Sequence, residues 1–309
     1  MRDSTATTGT ARPVISVIVP TYKRPRQLLS CLTALAAVDY PRASFEVIVV
    51  DDGSPNPPHG LVAAFEQGLC LRVVTQPHAG PATARNTGAE IARGDFIAFT
   101  DDDCEADAGW LRVLESYLVA EPGTGVGGRT VNALAHDIFS AASQSLIDYL
   151  YKYYNKWATE GEARFFTTNN LAFPADRFRA IGGFDTSFPL AAGEDRDICD
   201  RWRAHGFPLV YAQEAVVRHS HAMTFRSFSR QHFNYGRGAY YLHRARARRG
   251  EKKVRLEPIN FYTDLIRYPL AFNRGPRGAM LSLLKVVSQA AYGAGYYWER
   301  LVNQGTADR

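Results

Sequence analysis

The sequence has few cysteines, no long apolar run and none of the glycine-rich signatures that commonly mark phosphate-binding loops. Its four cysteines are scattered through 309 residues without a CxxC pair. That pattern suits buried free thiols in a reducing compartment and argues against a disulfide framework or a zinc site. No run of about 20 apolar residues exists, so a membrane-spanning helix is not expected. Neither GxGxxG after the first predicted strand nor GxxxxGK followed by Ser or Thr occurs, which disfavours a dehydrogenase-type dinucleotide fold and a P-loop.

Positive charge is concentrated in one part of the chain. Ten Lys or Arg residues between Arg226 and Arg255 stand against a single acid, Glu251, which gives this block a net charge of +9. Because the whole chain carries +5, the remainder is at about −4. A block of this kind favours an anionic partner, which could be nucleic acid, phospholipid or a phosphorylated substrate.

The hydrophobic pattern alternates between strands and helices along the first third of the chain. Apolar, β-branched runs predict strands at 14–19, 45–50, 71–75 and 96–100. The intervening segments predict helices at 25–38 and 80–92, and a shorter one that ends near residue 67. Such alternation predicts right-handed βαβ units, and therefore an α/β fold with a mostly parallel sheet flanked by helices.

Two of these strands end in carboxylates. Asp101, Asp102 and Asp103 follow the fourth strand, and Asp51 and Asp52 follow the second. A buried core does not accommodate three adjacent acids, so we place them at the open carboxyl edge of the sheet, where α/β proteins bind ligands. Since alternate residues of an extended segment point the same way, Asp101 and Asp103 can converge on one cation, and oxygen ligands suit Mg²⁺ or Mn²⁺. An acidic surface turn or a helix cap is the alternative for either strand end.

The second half of the chain predicts more strands, a further acidic pair and a histidine. Strands are expected at 125–132, 165–174 and 209–217, with an amphipathic helix at 136–157 whose aromatic stripe suits core packing better than an acceptor groove. Glu194 and Asp195 precede a helix at 196–204, where capping is the plain alternative. Asp197 and Arg201, four residues apart, are expected to pair. His219 follows the last strand and is either structural or a ligand, with His221 the weaker candidate.

Seven short segments follow one another along residues 14–221: VIVPTY at 17–22, VVDDGS at 49–54, ARNTG at 84–88, FTDDD at 99–103, IGGFD at 181–185, GEDRDIC at 193–199 and EAVVRH at 214–219. In this order they resemble the motifs of the family 2 glycosyltransferases, which have the GT-A fold. Each segment alone is a weak signal. Their common order makes the resemblance specific.

The resemblance implies a role for each candidate residue. Pro20, Thr21 and Tyr22 would frame the nucleobase, and Asp51 or Asp52 would contact base or ribose. Arg85 would support the base or diphosphate, or else form a structural ion pair. Asp195 would be the general base, with Glu194 as its neighbour. The remaining donor-binding residues would be Asp101, Asp102, Asn169 and Asn170, and the metal ligands would be Asp103, Asp101 and His219.

The function that the resemblance implies is that of an inverting glycosyltransferase. It would move a sugar from a nucleoside-diphosphate sugar, with UDP as the expected nucleotide, to a hydroxyl of a glycan or a lipid-linked acceptor, using Mn²⁺ or Mg²⁺. A sugar-phosphate nucleotidyltransferase is an alternative, although the basic glycine-rich loop of that class is missing after the first strand. A catalytically inactive membrane-binding or nucleic-acid-binding relative is the other alternative, but no nucleic-acid recognition motif supports it.

Three regions follow from this interpretation. Residues 1–12 are small and polar, and are expected to be disordered and not a signal peptide. Residues 13–222 would form the GT-A catalytic domain. Residues 223–309 would form a basic, aromatic-rich helical extension, with helices at 223–249, 260–272 and 277–301. We expect a cytoplasmic enzyme of cell-envelope polysaccharide synthesis whose extension binds the anionic inner face of the membrane. Core packing or a homodimer contact is the alternative for the last helix.

Overall fold

The structure is a computed structural model that describes residues 14–155, 163–251 and 257–307. The predicted disorder of residues 1–12, the end of the predicted helix at 136–157 and the end of the basic block lie outside these ranges. All four cysteines lie within them. Cys31, Cys104 and Cys199 are buried free thiols, as expected, whereas Cys70 is exposed.

The first four strands form the parallel part of the sheet. They are β1 (Ile15–Thr21), β2 (Phe45–Asp51), β3 (Leu71–Thr75) and β4 (Phe96–Phe99). Every residue of β1 and β2 is buried, as expected of parallel strands that are covered on both faces. Alternate residues serve two cores: Val17 packs on one face of the sheet and Ile18 on the other.

Four more strands extend this sheet and make it mixed. They are β5 (Cys104–Ala106), β6 (Gly125–Asn132), β7 (Leu171–Pro174) and β8 (Leu209–His219). The strand order is β3-β2-β1-β4-β7-β6-β8-β5. Within the described ranges, β1–β2, β1–β4, β2–β3 and β6–β8 are parallel, whereas β4–β7, β6–β7 and β5–β8 are antiparallel. The strand predicted at 165–174 is shorter than expected, because Thr168–Asn170 forms a 3-10 turn before β7.

Helices cover both faces of the sheet. They are α1 (Pro25–Ala36), α2 (His59–Ala63), α3 (Pro81–Ile91), α4 (Trp110–Ala120), α5 (Ile138–Tyr154), α6 (Ala175–Ala180) and α7 (Glu194–Ala204). Proline begins α1 and α3, where its missing N–H has no helical partner to lose. The Asp137 carboxylate caps α5 by accepting from the N–H groups of Phe139 and Ser140.

The chain ends in three long helices that pack against this domain and one another. They are α8 (Phe225–Arg248), α9 (Ile259–Phe272) and α10 (Pro276–Ala307). Gly236 of α8 lies against the backbone of Tyr292 in α10, and Gly295 of α10 lies against the backbone of Phe233 in α8, so that a Cβ at either glycine would overlap the other helix. One face of the last helix therefore packs as core. No helix in the described part of the chain combines the length and the apolar content needed to cross a membrane.

Acidic side chains neutralise much of the basic block. Of its seven arginines within the described ranges, four have carboxylate partners: Arg237 with Glu299, Arg246 with Asp200, Arg248 with Asp185, and Arg249 with Asp197. The net charge counted along the sequence therefore overstates the positive charge that this surface offers to a partner.

Candidate active site

A cavity of about 1200 Å³ opens at the carboxyl ends of β1, β2 and β4. Pro20, Thr21 and Tyr22 form its wall at the end of β1, and α7 and α8 form the wall opposite. Among the residues predicted from the sequence, those that line it are Pro20, Thr21, Tyr22, Asp52, Arg85, Asp101, Asp102, Asp103, Asn169, Glu194, Asp195 and His219. Asp51 and Asn170 do not line it.

Asp103, His219 and His221 form a cluster with the geometry of a metal site. Their ligand atoms all lie within 4.8 Å of one another. His219 Nε2 is 3.2 Å from Asp103 Oδ1, and His221 Nδ1 is 3.5 Å from Asp103 Oδ2. Pairing of β5 with β8 sets this arrangement, because it places Cys104, next to Asp103, opposite His219. Burial opposes ionisation of Asp103, but the two histidines and Arg24 outweigh it and hold the pKa of this carboxyl below its usual range.

This cluster differs from the ligand set predicted from the sequence. Asp101 is not a member, because its Oδ1 accepts a hydrogen bond of 2.8 Å from Arg85 Nη2. His221, the weaker candidate, is a member. His221 stands where Asp101 was predicted, so the set is two imidazoles and one carboxylate, which can hold Mn²⁺ as well as softer divalent ions. Arg24, whose side chain is 45% exposed, lies 3.0 Å from Asp103 and already supplies positive charge there.

A buried ion network joins the strand edge to the start of α7. Arg85 of α3 donates to Asp101 at 2.8 Å and to Glu194 Oε1 at 3.3 Å. Glu194 Oε2 is buried and has no hydrogen-bond partner within the described residues. Burial, helped by the neighbouring Asp195, raises the pKa of Glu194 to about 7, and burial also raises the pKa of Asp195. A carboxyl pair of this kind can accept a proton near neutral pH.

The acids after β2 organise a loop. Asp52 Oδ1 accepts from Gln76 Nε2 at 2.8 Å and from Ala79 N at 2.9 Å, while Oδ2 accepts from Gly80 N at 2.9 Å and lies 2.8 Å from His78 Nδ1. The His78 ring stacks on Tyr22 with centroids 4.2 Å apart. The loop at 76–80 thus supplies a second aromatic wall that no sequence pattern had indicated.

Asp51 and Asn170 have structural roles. Asp51 is fully buried and accepts a hydrogen bond from the Ser54 N–H, which closes the turn after β2. Asn170 is also fully buried: its Oδ1 accepts from Trp110 Nε1 at 2.9 Å and its Nδ2 donates to Ala215 O at 2.9 Å. It lies at the register shift between β6 and β8, so its amide satisfies backbone groups that the ladder leaves open.

Two other residues that were predicted to bind the sugar donor, Asp102 and Asn169, line the cavity. Asp102 accepts from Thr21 Oγ1 at 2.7 Å, and burial raises the pKa of its carboxyl to about 6. Asn169 Oδ1 accepts from Thr167 Oγ1 at 2.8 Å and from Thr130 Oγ1 at 3.1 Å. The predicted pair of Asp197 and Arg201 is confirmed at 2.7 Å.

Sequence reasoning missed the contribution of the C-terminal helices to this cavity. Polar residues of α8 and α10 that line it include Arg226, Arg230, Gln231, Asn234, Tyr235, His243, Gln289 and Tyr292. None belongs to a motif of the resemblance, which ends near residue 221. Arg226, Arg230 and Asn234 recur every four residues, which was a signal that the sequence offered.

The fold is that of the GT-A glycosyltransferases. A mannosyltransferase of *Pyrobaculum calidifontis*, solved with GDP-mannose and Mn²⁺, superposes with a TM-score of 0.66 at 20% identity, over 94% of this chain and 88% of that one. *Staphylococcus aureus* TarS 1–349, solved with UDP-GlcNAc, gives a TM-score of 0.52 at 18% identity, over 94% and 92% of the two chains.

The sequence match identifies the family. Residues 16–179, about half of the chain, match the model of glycosyl transferase family 2. The protein belongs to this family, which confirms the resemblance and the predicted α/β, GT-A fold.

Curated relatives are also glycosyltransferases or polysaccharide-synthesis proteins. A validoxylamine A glucosyltransferase of *Streptomyces hygroscopicus* is 28% identical over 235 residues, which cover 66% of this chain and 54% of the relative. Glycosyltransferase AglE of *Haloferax volcanii* is 28% identical over 231 residues, 73% of each chain. The succinoglycan biosynthesis protein ExoM of *Rhizobium meliloti* is 31% identical over 208 residues, 66% of this chain and 65% of that one. The chain spans about half the length of the first of these relatives.

Proposed function

We propose that this glycosyltransferase is inverting and metal-dependent, and that it moves a sugar from a nucleoside-diphosphate sugar to an acceptor hydroxyl. The observation that carries the proposal is the content of one cavity. It holds the Asp103–His219–His221 cluster and the Glu194–Asp195 carboxyl pair together. A cation site and a proton acceptor in one enclosed space are what a single displacement with a diphosphate leaving group requires.

The metal site consists of Asp103, His219 and His221. A bound Mn²⁺ or Mg²⁺ would neutralise the negative charge that grows on the diphosphate as the sugar leaves. The contacts of Asp103 with the histidines and Arg24 keep its carboxyl ionised. Although burial opposes it, the Asp103 carboxylate also raises the pKa of His219, so metal binding would release the proton that these two side chains share. Asp101 would position Arg85 through its hydrogen bond and would not bind the metal directly.

Asp195 is the proposed general base. It and Glu194 stand at the start of α7 and line the cavity, but only Glu194 is tied to Arg85. Glu194 would therefore orient the pair, while burial raises the proton affinity of Asp195. The acceptor oxygen would lose its proton to Asp195 as it attacks the anomeric carbon on the face opposite the nucleotide.

The nucleotide would bind between the ends of β1 and β2. Tyr22, stacked on His78, offers an aromatic surface for the base, while Asp52 holds the loop that carries His78. We take UDP as the first candidate, since TarS binds UDP and UDP-GlcNAc, and GDP as the second, since the *Pyrobaculum* enzyme binds GDP-mannose.

The test is release of nucleoside diphosphate from a panel of UDP- and GDP-sugars with Mn²⁺, Mg²⁺ or EDTA. We expect activity that needs the metal, and a fall of about 10²-fold or more in Asp195→Asn, the usual scale for a general base. Nucleotide binding should survive in this variant, because the change is nearly isosteric and the N-cap of α7 is Gly193, not Asp195. Equal rates with metal and with EDTA would contradict the metal, and full activity of Asp195→Asn would contradict the base.

We also propose that the acceptor is lipid-linked or made at a membrane, and that α9 and α10 rest on an anionic membrane surface. The supporting observation is an exposed apolar face on α10, whose members recur at helical spacing. They are Met280, Leu283, Val286, Tyr297, Trp298 and Leu301, each 47–68% exposed. Because ion pairs neutralise much of the positive charge of the basic block, this apolar face would supply most of the attraction to the membrane.

Co-sedimentation with phosphatidylglycerol vesicles tests the membrane proposal. Leu283 and Leu301 are 18 residues apart and share a helix face, so the double change Leu283→Ser and Leu301→Ser should leave the protein in the supernatant. Val119→Ser is the matched control, since Val119 of α4 is 60% exposed on another helix. Failure of the wild type to pellet at low salt would contradict the proposal, and a dimer that the double change dissociates would assign the face to a second copy.

A further inference from the structure

Two arginines at the start of α8 combine two properties that the other described arginines of the basic block do not combine: they lack a carboxylate partner and they line the cavity. Arg226 and Arg230 have no acidic partner in the described part of the chain, whereas Arg237, Arg246 and Arg249 are each held by a carboxylate within 2.7 Å. Both side chains are exposed. They are four residues apart, so they lie on one helix face in successive turns.

The face that carries these arginines forms part of the cavity. Arg226 and Arg230 both line it, together with Gln231 and the metal-cluster residue His221. Thr224, the N-cap of α8, comes only three residues after His221, so the arginines follow the proposed metal site directly along the chain. The acids at the strand ends, Asp101, Asp102 and Asp103, line the same cavity. The cavity therefore offers two guanidinium groups without acidic partners among the described residues, as well as a site for a cation.

Two guanidinium groups without carboxylate partners favour a phosphate over a neutral sugar as their ligand. Neutral sugar hydroxyls are satisfied by amides, hydroxyls and carboxylates, and they do not need two unpaired guanidinium groups. A guanidinium presents a planar fork of N–H donors that matches the oxygens of a phosphate, and it stays charged at every physiological pH.

We propose that Arg226 and Arg230 form a phosphate-binding subsite of the active site. It takes a phosphate group of a substrate, which is either the diphosphate of the donor or a phosphate carried by the acceptor. The proposal rests on the glycosyl-transfer function proposed above and adds residues that the family motifs do not include. In either case the pair would place positive charge against the phosphate from the α8 side of the cavity.

The experiment compares Arg226→Gln, Arg230→Gln and the double variant with Arg244→Gln. Arg244 is a matched control because it is an exposed arginine of the same helix that does not line the cavity. Calorimetric titration in Mg²⁺ provides two arms. The donor arm compares UDP with uridine, and the acceptor arm titrates glucose 1-phosphate or glucose into protein saturated with UDP. Melting temperatures confirm that all variants fold.

If Arg226 and Arg230 bind a phosphate, replacing them should weaken the binding of phosphorylated ligands only. Each single variant should weaken the phosphorylated ligand of one arm by about tenfold or more, as expected for a charge-assisted hydrogen bond, and leave uridine and glucose binding unchanged. Weakened UDP binding would assign the subsite to the donor, and weakened glucose 1-phosphate binding with intact UDP binding would assign it to the acceptor. Variants that bind both phosphorylated ligands as tightly as Arg244→Gln would overturn the subsite. If the wild type binds no nucleotide, the proposed donor is wrong. Glucose 1-phosphate is then titrated without UDP, and equal binding by the wild type and the double variant would overturn the subsite.

Discussion

Gly238 gives the sharpest test of how the C-terminal helices serve catalysis. This residue of α8 packs against the loop that leads into Glu194 and Asp195. A Cβ at Gly238 would lie 2.6 Å from the carbonyl carbon and from the Cβ of Ala192, and would overlap the Ala192 oxygen. Gly193 faces the same contact from the other side, with a positive φ of 93° that favours glycine. The backbone of α8 therefore sets the position of the carboxyl pair.

The expected size of the effect follows from this geometry. Ordinary carbon–carbon contacts are about 3.5–4.0 Å, so Gly238→Ala has to displace the Ala192 loop by roughly 1 Å. A shift of that size in catalytic groups can reduce the rate by about 10²-fold. The cost to folding is smaller, because overpacking of about 1–3 kcal/mol is offset by roughly 1 kcal/mol of helix propensity gained when alanine replaces glycine.

We therefore expect Gly238→Ala to lower kcat by about 10- to 100-fold, with the donor KM and the melting temperature little changed. Gly293→Ala is the matched control, since nothing lies within 4 Å of a Cβ at this glycine of α10. It should keep full activity. The assay is nucleoside diphosphate release, run beside thermal unfolding of each variant. The reasoning is refuted if Gly238→Ala retains the wild-type kcat, or if its activity falls only in proportion to a loss of folded protein.

Three further changes test other parts of the site. Tyr22→Ala should raise the Kd for the nucleoside diphosphate about tenfold, the scale of one stacked base, and leave pyrophosphate binding unchanged in calorimetry; equal loss for both ligands would contradict the stacking role. Arg85→Met should destabilise the fold by about 3–5 kcal/mol in urea unfolding, because Asp101 and Glu194 lose a buried partner; Arg112→Met, whose ion pair with Asp39 is exposed on both sides, should change the stability by less than about 1 kcal/mol. Glu194 has a folded pKa of about 7, above its unfolded value of 4.5, so its contribution to stability is complete below pH 4.5 and is lost as the pH rises through 7. Glu194→Gln should therefore flatten the fall in melting temperature between pH 5 and 7, and an unchanged slope would assign that fall to other groups.

The parallel half of the fold and the acidic rim were predictable because they depend on local sequence. Apolar runs that end in carboxylates leave only the open sheet edge for those charges. Asp103 and His219 followed from that rule and from the family motifs. The pairing of β5 with β8 that unites them, and that brings in His221, is a long-range contact which no local pattern determines.

The roles that the sequence assigned less well depend on partners distant in the chain. Asp101 was predicted as a metal ligand, and in the structure its Oδ1 accepts from Arg85, which lies on another element. Asn170 resembles a sugar contact until Trp110 and Ala215 take its amide. Net charge along the basic block could not reveal that Asp185, Asp197 and Asp200 would neutralise several of its arginines.

The central claim is that a divalent ion on Asp103, His219 and His221 helps this cavity bind a nucleoside diphosphate. Thermal unfolding of the wild type and Asp103→Ala with UDP or GDP, in Mn²⁺ or in EDTA, tests it most directly. Ligand at a hundredfold excess over Kd stabilises the native state by about 2.7 kcal/mol, which should raise the wild-type melting temperature by several degrees. We predict this rise in Mn²⁺, a much smaller one in EDTA, and no difference between the two conditions in Asp103→Ala. Equal rises with Mn²⁺ and EDTA in the wild type would contradict the claim.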